Sequence, residues 1–225
     1  MVKGVFYSVG VGPGDPLLIT LKAVETIRIC DVIISPDSGC KDNVALEIAW
    51  EYIRDKRVEF CSMPMTRDKK VLDIAHDEAA SRIAGLLDDG LDVAFLTLGD
   101  PSIYSTAMYV HKRLAVMGFA TKIIPGVPSF CAAAAARNTS LCEGAEPMHI
   151  IPASYGGRFL ELDGTKVLMK PGKEAAGIVS SLKALSGIEA FIVRRASMDR
   201  EMLFGSPEDF DNNEDYFSII VVKQA

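Results

Sequence analysis

The sequence predicts an α/β protein of two domains, residues 1–124 built on a mainly parallel sheet and residues 125–225 on a mixed one. Three observations lead there. Up to Ile124, short apolar runs alternate with longer stretches of helical period, the rhythm of a parallel sheet covered by helices on both faces. Glycine and proline stand at the ends of the first and fourth of those runs, where tight strand-to-helix turns are made. After Pro125-Gly126 the rhythm changes to four strand-like runs with fewer helices between them.

Gly4–Gly10 has little polar alternation and reads as a strand buried on both faces. From Pro16 the apolar positions Leu18, Leu21, Val24 and Ile27 recur every three to four residues, which predicts one helix opened by Pro16 and capped by Asp15. Asp31–Ser35 (DVIIS) is a β-branched strand, followed by a helix over Asn43–Tyr52 and a strand over Val58–Cys61. The longest helix runs from Asp68 to about Asp88, with Leu72, Ala75, Ala79, Ile83 and Leu86 or Leu87 on one face and Gly90 ending it. DVAFLTLGDPSIYST then predicts a strand to Leu98, a tight Gly99-Asp100-Pro101 turn, and a helix to about Met117 that Asp100 caps with Pro101 at its first position. Ala120–Ile124 is a fifth strand. In the second half Ser129 caps a helix to Arg137, whose five consecutive alanines let a neighbouring backbone come close. MHIIPAS, TKVLMK, EAFIVRR and YFSIIVVK are its strands, and Ser206–Tyr216 is a solvated loop.

At 225 residues and 49% hydrophobic content the chain can bury sizeable cores. Its 24 Lys and Arg against 30 Asp and Glu leave a net charge of -6, which argues against a broad cationic surface for nucleic acid or membrane. An anionic ligand must therefore be met locally. Cys30, Cys40, Cys61, Cys131 and Cys142 form no CxxC pair, which suits buried, reduced thiols in a cytoplasmic protein. No apolar run reaches the roughly 18 residues needed to span a membrane. The N-terminus enters a strand without the pattern of a leader. His76, His111 and His149 are scattered without ligand spacing, so no protein-bound metal is expected.

The first turn, VGVGPGDP, invites comparison with the G-x-G-x-x-G loop that cradles pyrophosphate. Gly10 and Gly12 fit, but the third position is Asp15, and a carboxylate at the head of a helix repels a phosphate there. Two readings of this turn stay open: a tight connection with no ligand, or one wall of a crevice. LTLGDPSIY, Leu96 to Tyr104, supplies a second glycine-aspartate turn at the carboxyl end of a strand, where open α/β sheets bind ligands. Pro125-Gly126-Val127-Pro128 makes a stiff connection between domains.

Together these stretches resemble the tetrapyrrole methylase family: GVGPGDPLLITLKA at 10–23, GDPSIY at 99–104 and PGVPSFCAAAA at 125–135. MPMTRDK (Met63–Lys69), TLGDPSIYST, VLMKPGK (Val167–Lys173) and RRASM (Arg194–Met198) are most similar to the branch that methylates carbon 20 of precorrin-2 or cobalt-factor II in cobalamin biosynthesis. The resemblance spans nearly the whole chain, in order. It implies two α/β domains, a homodimer, and S-adenosyl-L-methionine folded into a cleft between the domains and leaving as S-adenosyl-L-homocysteine. On that resemblance Pro13 closes one side of the cofactor, and Leu98, Gly99, Asp100 and Ile103 contact it from the first domain. Pro128 and Ser129 match contacts from the second, with Met169 or Pro171 and Ala196, Ser197 and Met198 as looser matches.

The implied reaction moves a methyl group from a sulfonium to a carbon of an electron-rich, many-carboxylate macrocycle, so no covalent nucleophile is needed from the protein. Asp100 is expected to orient pyrrole N–H groups or take the displaced proton, against the plainer reading of a helix cap. Tyr104 either meets the macrocycle or packs. The substrate carboxylates need cations, for which Arg67, Lys170 and Arg194 are the first candidates and Lys69, Lys173 and Arg195 lie in the same segments. Any cobalt would arrive inside the substrate. The competing readings are a methylase of another tetrapyrrole position, a nicotinamide-dinucleotide oxidoreductase with Asp37 as its ribose acid, and a module that binds such ligands without chemistry.

Overall fold

The computed structural model describes residues 2–37, 39, 43–185, 188–210 and 215–224. The chain divides into two compact units, Met1–Pro128 and Ser129–Ala225.

The first unit contains β1 (Val5–Gly10), α1 (Leu21–Ile29), β2 (Val32–Asp37), α2 (Val44–Ile53), β3 (Arg57–Ser62), α3 (Lys69–Asp88), β4 (Val93–Thr97), α4 (Ala107–Val116) and β5 (Ala120–Ile124). Its strands form one wholly parallel sheet in the order β3-β2-β4-β1-β5. Side-chain alternation divides the core between the two faces. Phe6, Ile34 and Phe95 pack with Ile83 and Leu87 of α3 and Leu114 of α4. Val9, Ile33 and Leu96 pack with Ile27 of α1 and Ile48 of α2. Burial on both faces explains why β1 and β4 read as nearly continuous apolar runs.

Two helix starts differ from the sequence expectation. Pro16–Leu18 is a separate 3-10 turn, with the Asp15 carboxylate accepting from Leu17 N at 2.8 Å. The backbone is extended at Ile19, and α1 begins only at Leu21, where Thr20 Oγ1 accepts from Ala23 N at 3.1 Å. Leu21 is consequently 83% exposed, and the buried face of α1 is Ala23, Val24, Thr26 and Ile27. After β4, Pro101–Tyr104 forms successive turns, and Tyr104 is left-handed at φ 47°. A residue in that region does not fit inside a right-handed helix. So α4 opens at Ala107, whose N–H is accepted by Ser105 Oγ at 3.1 Å, and Asp100 does not cap it.

Residues 125–128 belong to the first compact unit. Gly126 N donates to the Asp100 carboxylate at 3.0 Å, and Thr20 Oγ1 donates to the Pro125 carbonyl at 3.2 Å, so this segment is bonded into the first unit. Backbone approaches backbone here: a Cβ on Gly126 would lie 2.2 Å from the Gly99 oxygen, and one on Gly10 would lie 2.6 Å from the same atom.

The second unit contains α5 (Ser129–Arg137), β6 (Met148–Pro152), β7 (Thr165–Met169), α6 (Ala175–Lys183), β8 (Ile188–Arg194), β9 (Met202–Phe204) and β10 (Ser218–Gln224). The sheet order is β6-β7-β10-β8-β9, with β6 and β7 parallel and the other pairs antiparallel, a mixed sheet as expected. β9 is an addition: three residues, two of them exposed, carry too little alternation to read as a strand. The 206–216 segment is more ordered than expected, since Pro207–Asp209 is a 3-10 turn and Phe210 packs in the core. Residues 211–214 of that segment lie outside the described residues, as does Cys40. Buried thiols hold for Cys30 and Cys61 but not for Cys131 and Cys142, which are exposed. Among the described residues no helix is long and apolar enough to cross a membrane.

His76 of α3 is 3% exposed, and neither ring nitrogen has a hydrogen-bond partner among the described residues. It stacks on Tyr109 of α4 with ring centroids 4.8 Å apart. Burial pushes its pKa below the usual 6.5, with Arg113 acting in the same direction and Asp73 and Asp77 against it. Protonation therefore favours the unfolded chain, and the stability that neutral His76 contributes is complete above pH 6.5 and lost as pH falls from there through the depressed native value. His76→Phe is expected to raise Tm relative to wild type, and by more at pH 5 than at pH 8, in thermal melts. Gly126→Ala is expected to cost about 1–3 kcal/mol in urea unfolding, the usual penalty of overpacking.

Candidate active site

Three neighbouring strands of the first sheet, β4, β1 and β5, each run at their carboxyl ends into a turn containing glycine. α1, which follows β1, packs on one face of the sheet, and α4, which follows β4, packs on the other. Adjacent strands whose connections leave to opposite faces open a crevice at their carboxyl ends, the usual ligand position in open α/β sheets.

The turns are joined to one another. Val11 N donates to Thr97 O at 2.9 Å, Gly99 N to Gly12 O at 2.7 Å, and Gly12 N to Gly99 O at 3.3 Å. Gly12 (φ 88°) and Gly99 (φ 73°) are both left-handed, which only glycine adopts without strain. The Asp100 carboxylate then closes the group. One oxygen accepts from Ser102 N at 2.8 Å and from the Ser102 hydroxyl, while the other accepts from Gly126 N. Asp100 thus ties the turn after β4 to the turn after β5, 26 positions along the chain. Sequence spacing carries no signal for that bond. Ser105, also missed, shares a 3.1 Å hydrogen bond with Thr97 and accepts from Ala107 N at the start of α4.

The predicted residues of this unit fall as follows. Pro13 is buried next to the Gly12–Gly99 bridge, Gly99 is buried, and Leu98, Asp100, Ile103 and Pro128 are partly exposed. Tyr104 is 44% exposed and precedes α4 rather than lying one turn into it. Arg67 and Lys69 are exposed between β3 and the first turn of α3.

In the second unit α5 begins at Ser129, and the other candidates gather where β7 and β8 end. Met169 closes β7 and Pro171 is buried. Lys170 is left-handed (φ 57°) with its ammonium 5.8 Å from the centre of the Tyr216 ring. Arg194, the last residue of β8, is only 4% exposed. Its guanidinium lies 5.1 Å from the Phe204 ring and 5.4 Å from Phe210, and it donates to Met202 Sδ at 3.6 Å. It is enclosed rather than presented as a surface cation. Ala196 is buried, while Ser197 and Met198 are partly exposed. Arg195 Nε donates to Asp215 Oδ2 at 2.7 Å, and Lys173 is exposed.

Among the described residues no group of three His, Cys, Asp or Glu is placed to hold a metal ion. Burial pushes the Cys61 thiol up and takes Cys30 to about 12, so neither is an activated nucleophile. Buried Ser8 shares a 3.0 Å hydrogen bond with His111 Nδ1, and burial lowers the His111 pKa. What the first unit offers chemically is a rigid edge of glycine backbone with one braced carboxylate, an arrangement for binding and orientation rather than covalent catalysis.

Residues 5–209 match the model of the Tetrapyrrole (Corrin/Porphyrin) Methylases. The chain is 35% identical over 229 residues to the probable cobalt-precorrin-2 C(20)-methyltransferase of Methanocaldococcus jannaschii, covering 100% of this chain and 97% of that protein. Among solved structures, a cobalt precorrin-4 methyltransferase of cobalamin biosynthesis superposes with a TM-score of 0.78 at 20% identity, covering 97% of this chain and 94% of that one. The uroporphyrin-III C-methyl transferase of Thermus thermophilus, solved with S-adenosylhomocysteine, gives 0.69 at 18% identity, covering 98% and 97%. With two α/β units, joined glycine turns at the carboxyl edge of a parallel sheet, and a family match across most of its length, the chain belongs to the tetrapyrrole (corrin/porphyrin) methylases.

Proposed function

We propose that this protein transfers a methyl group from S-adenosyl-L-methionine to carbon 20 of cobalt-precorrin-2 in cobalamin biosynthesis, with metal-free precorrin-2 as the slower substrate. The observation that carries the proposal is identity at 35% running the full length of a relative named for that activity. The donor, when bound, supplies an electrophilic methyl on a sulfonium. Backbone groups of the Gly12–Gly99 bridge suit such a ligand, because strong negative charge against the sulfur would stabilise the ground state over a transition state in which that charge is vanishing. Asp15, which accepts from Leu17 N at the first turn, disfavours a pyrophosphate and so a dinucleotide there.

Pro13, Leu98, Gly99, Asp100, Ile103 and Pro128 of the first unit, and Ser129, Met169, Pro171, Ala196, Ser197 and Met198 of the second, are the proposed donor contacts. Asp100 has three acceptor positions filled by Gly126 and Ser102. A carboxylate has about four such positions, which leaves one for a pyrrole N–H or the proton released from carbon. Its first task is then to hold the turns in register. Tyr104 is the proposed contact for the face of a macrocycle, and Arg67 and Lys170 for its carboxylates; all three are exposed. Enclosed between two rings, Arg194 serves the packing of the second unit instead. A homodimer in the cytoplasm completes the proposal, and light scattering should return twice the chain mass.

Anaerobic incubation with the donor and each tetrapyrrole should add one methyl, located at carbon 20 by NMR, with the cobalt form turning over faster. No methyl gained, or tighter binding of NADH than of S-adenosylhomocysteine, would overturn the proposal. Asp100→Asn places an amide N–H against either Gly126 N or the Ser102 donors. It should slow turnover at least tenfold and also weaken S-adenosylhomocysteine affinity, read by calorimetry, because a bond that holds the turns in register is lost.

A further inference from the structure

We infer that Asp215 is a positioning residue for methyl-donor binding, acting through Arg195 on the turn that follows β8. The inference rests on the proposed role of Ala196, Ser197 and Met198 as donor contacts. β10 runs antiparallel to β8, so the residues just before β10 lie beside those just after β8. Asp215 uses both carboxylate oxygens across this junction: Oδ1 accepts from Phe217 N at 2.9 Å, and Oδ2 accepts from Arg195 Nε at 2.7 Å. Arg195 N in turn donates to Phe217 O at 2.9 Å, and its guanidinium lies 5.9 Å from the Phe217 ring centre. Backbone and side chain of Arg195 are therefore both anchored to 215–217. The Asp215 side chain is only 13% exposed and that of Arg195 34%, so solvent screens the pair less than an ordinary surface ion pair.

The turn held this way is strained. Arg195 (φ 54°), Ser197 (φ 60°) and Arg200 (φ 62°) are all left-handed without being glycine. Each such residue is strained and persists only where its surroundings over-determine it. Met198 N donates to Arg195 O at 2.8 Å, Glu201 N to Met198 O at 3.2 Å, and Ser197 N to the Glu201 carboxylate. Asp215 fixes where the turn starts, and Glu201 fixes its middle. Without Asp215 the start of the turn keeps its backbone bond to Phe217 but loses the carboxylate that fixes the Arg195 side chain to the same segment.

Asp215→Asn is the selective test, because the amide oxygen keeps the Phe217 bond while its NH2 meets Arg195 Nε donor to donor. The expected result is a tenfold or greater weakening of S-adenosylhomocysteine binding by calorimetry and a matching rise in KM for the donor. KM for the tetrapyrrole should move less than twofold. Exposed Glu201→Ala, which leaves the core untouched, should weaken donor binding in the same direction. Donor affinity unchanged in both variants, with wild-type protein binding normally, would overturn the inference, as would a rise confined to the tetrapyrrole KM, which would make Arg195 a substrate contact. Wild-type protein that binds no S-adenosylhomocysteine would instead overturn the functional proposal itself.

Discussion

The constraint on which the first unit depends is the mutual approach of three backbones at the carboxyl edge of its sheet. Gly10, Gly99 and Gly126 come so close that a single methyl group on Gly10 or Gly126 would fall inside the contact distance of a neighbouring carbonyl. Approach at that distance satisfies the polar groups of the turns against each other, backbone to backbone in the Gly12–Gly99 pair and through the Asp100 carboxylate at Gly126. The consequences spread outward. The first turn must leave the sheet through a left-handed Gly12, the chain must make a 3-10 turn before α1, and α4 must wait until Ala107 to begin. Two helices that could have started one turn earlier on local propensity are delayed by the packing of the edge they leave.

This also separates what was legible in the sequence from what was not. The three central strands β1, β2 and β4 announced themselves because burial on both faces writes apolar runs, and the mixed second sheet was readable from the loss of strand-helix alternation. The glycine turns and their position at strand ends were equally plain. The helix starts were not, since Asp-Pro opens a 3-10 turn as readily as an α-helix and the choice is made by tertiary contacts. Asp100 shows the same limit at the site: its local sequence reads as a cap, and only the fold brings Gly126 to its second oxygen. Arg194 shows the reverse limit. An arginine in a basic dipeptide at a strand end looks solvated, and nothing local says that Phe204 and Phe210 will close over it.

Two cations of the second unit lie against aromatic rings of the segment that precedes β10. Lys170 lies against Tyr216 and Arg195 against Phe217, with Asp215 between the two aromatics and β8. Aromatic support costs a cation little of its charge and removes much of its freedom. The same segment before β10 therefore anchors residues from the ends of two different strands.

The Asp100–Gly126 bond bears on the order in which the molecule comes together. A carboxylate in the turn after β4 obtains its second partner from a residue made only after α4 and β5, so during synthesis that turn stays unlatched until the chain has passed residue 126. Domains fold largely as units as they emerge. Here the latch closes within the last few residues of the first unit, which ties the shape of the sheet's carboxyl edge to the completion of the chain before it.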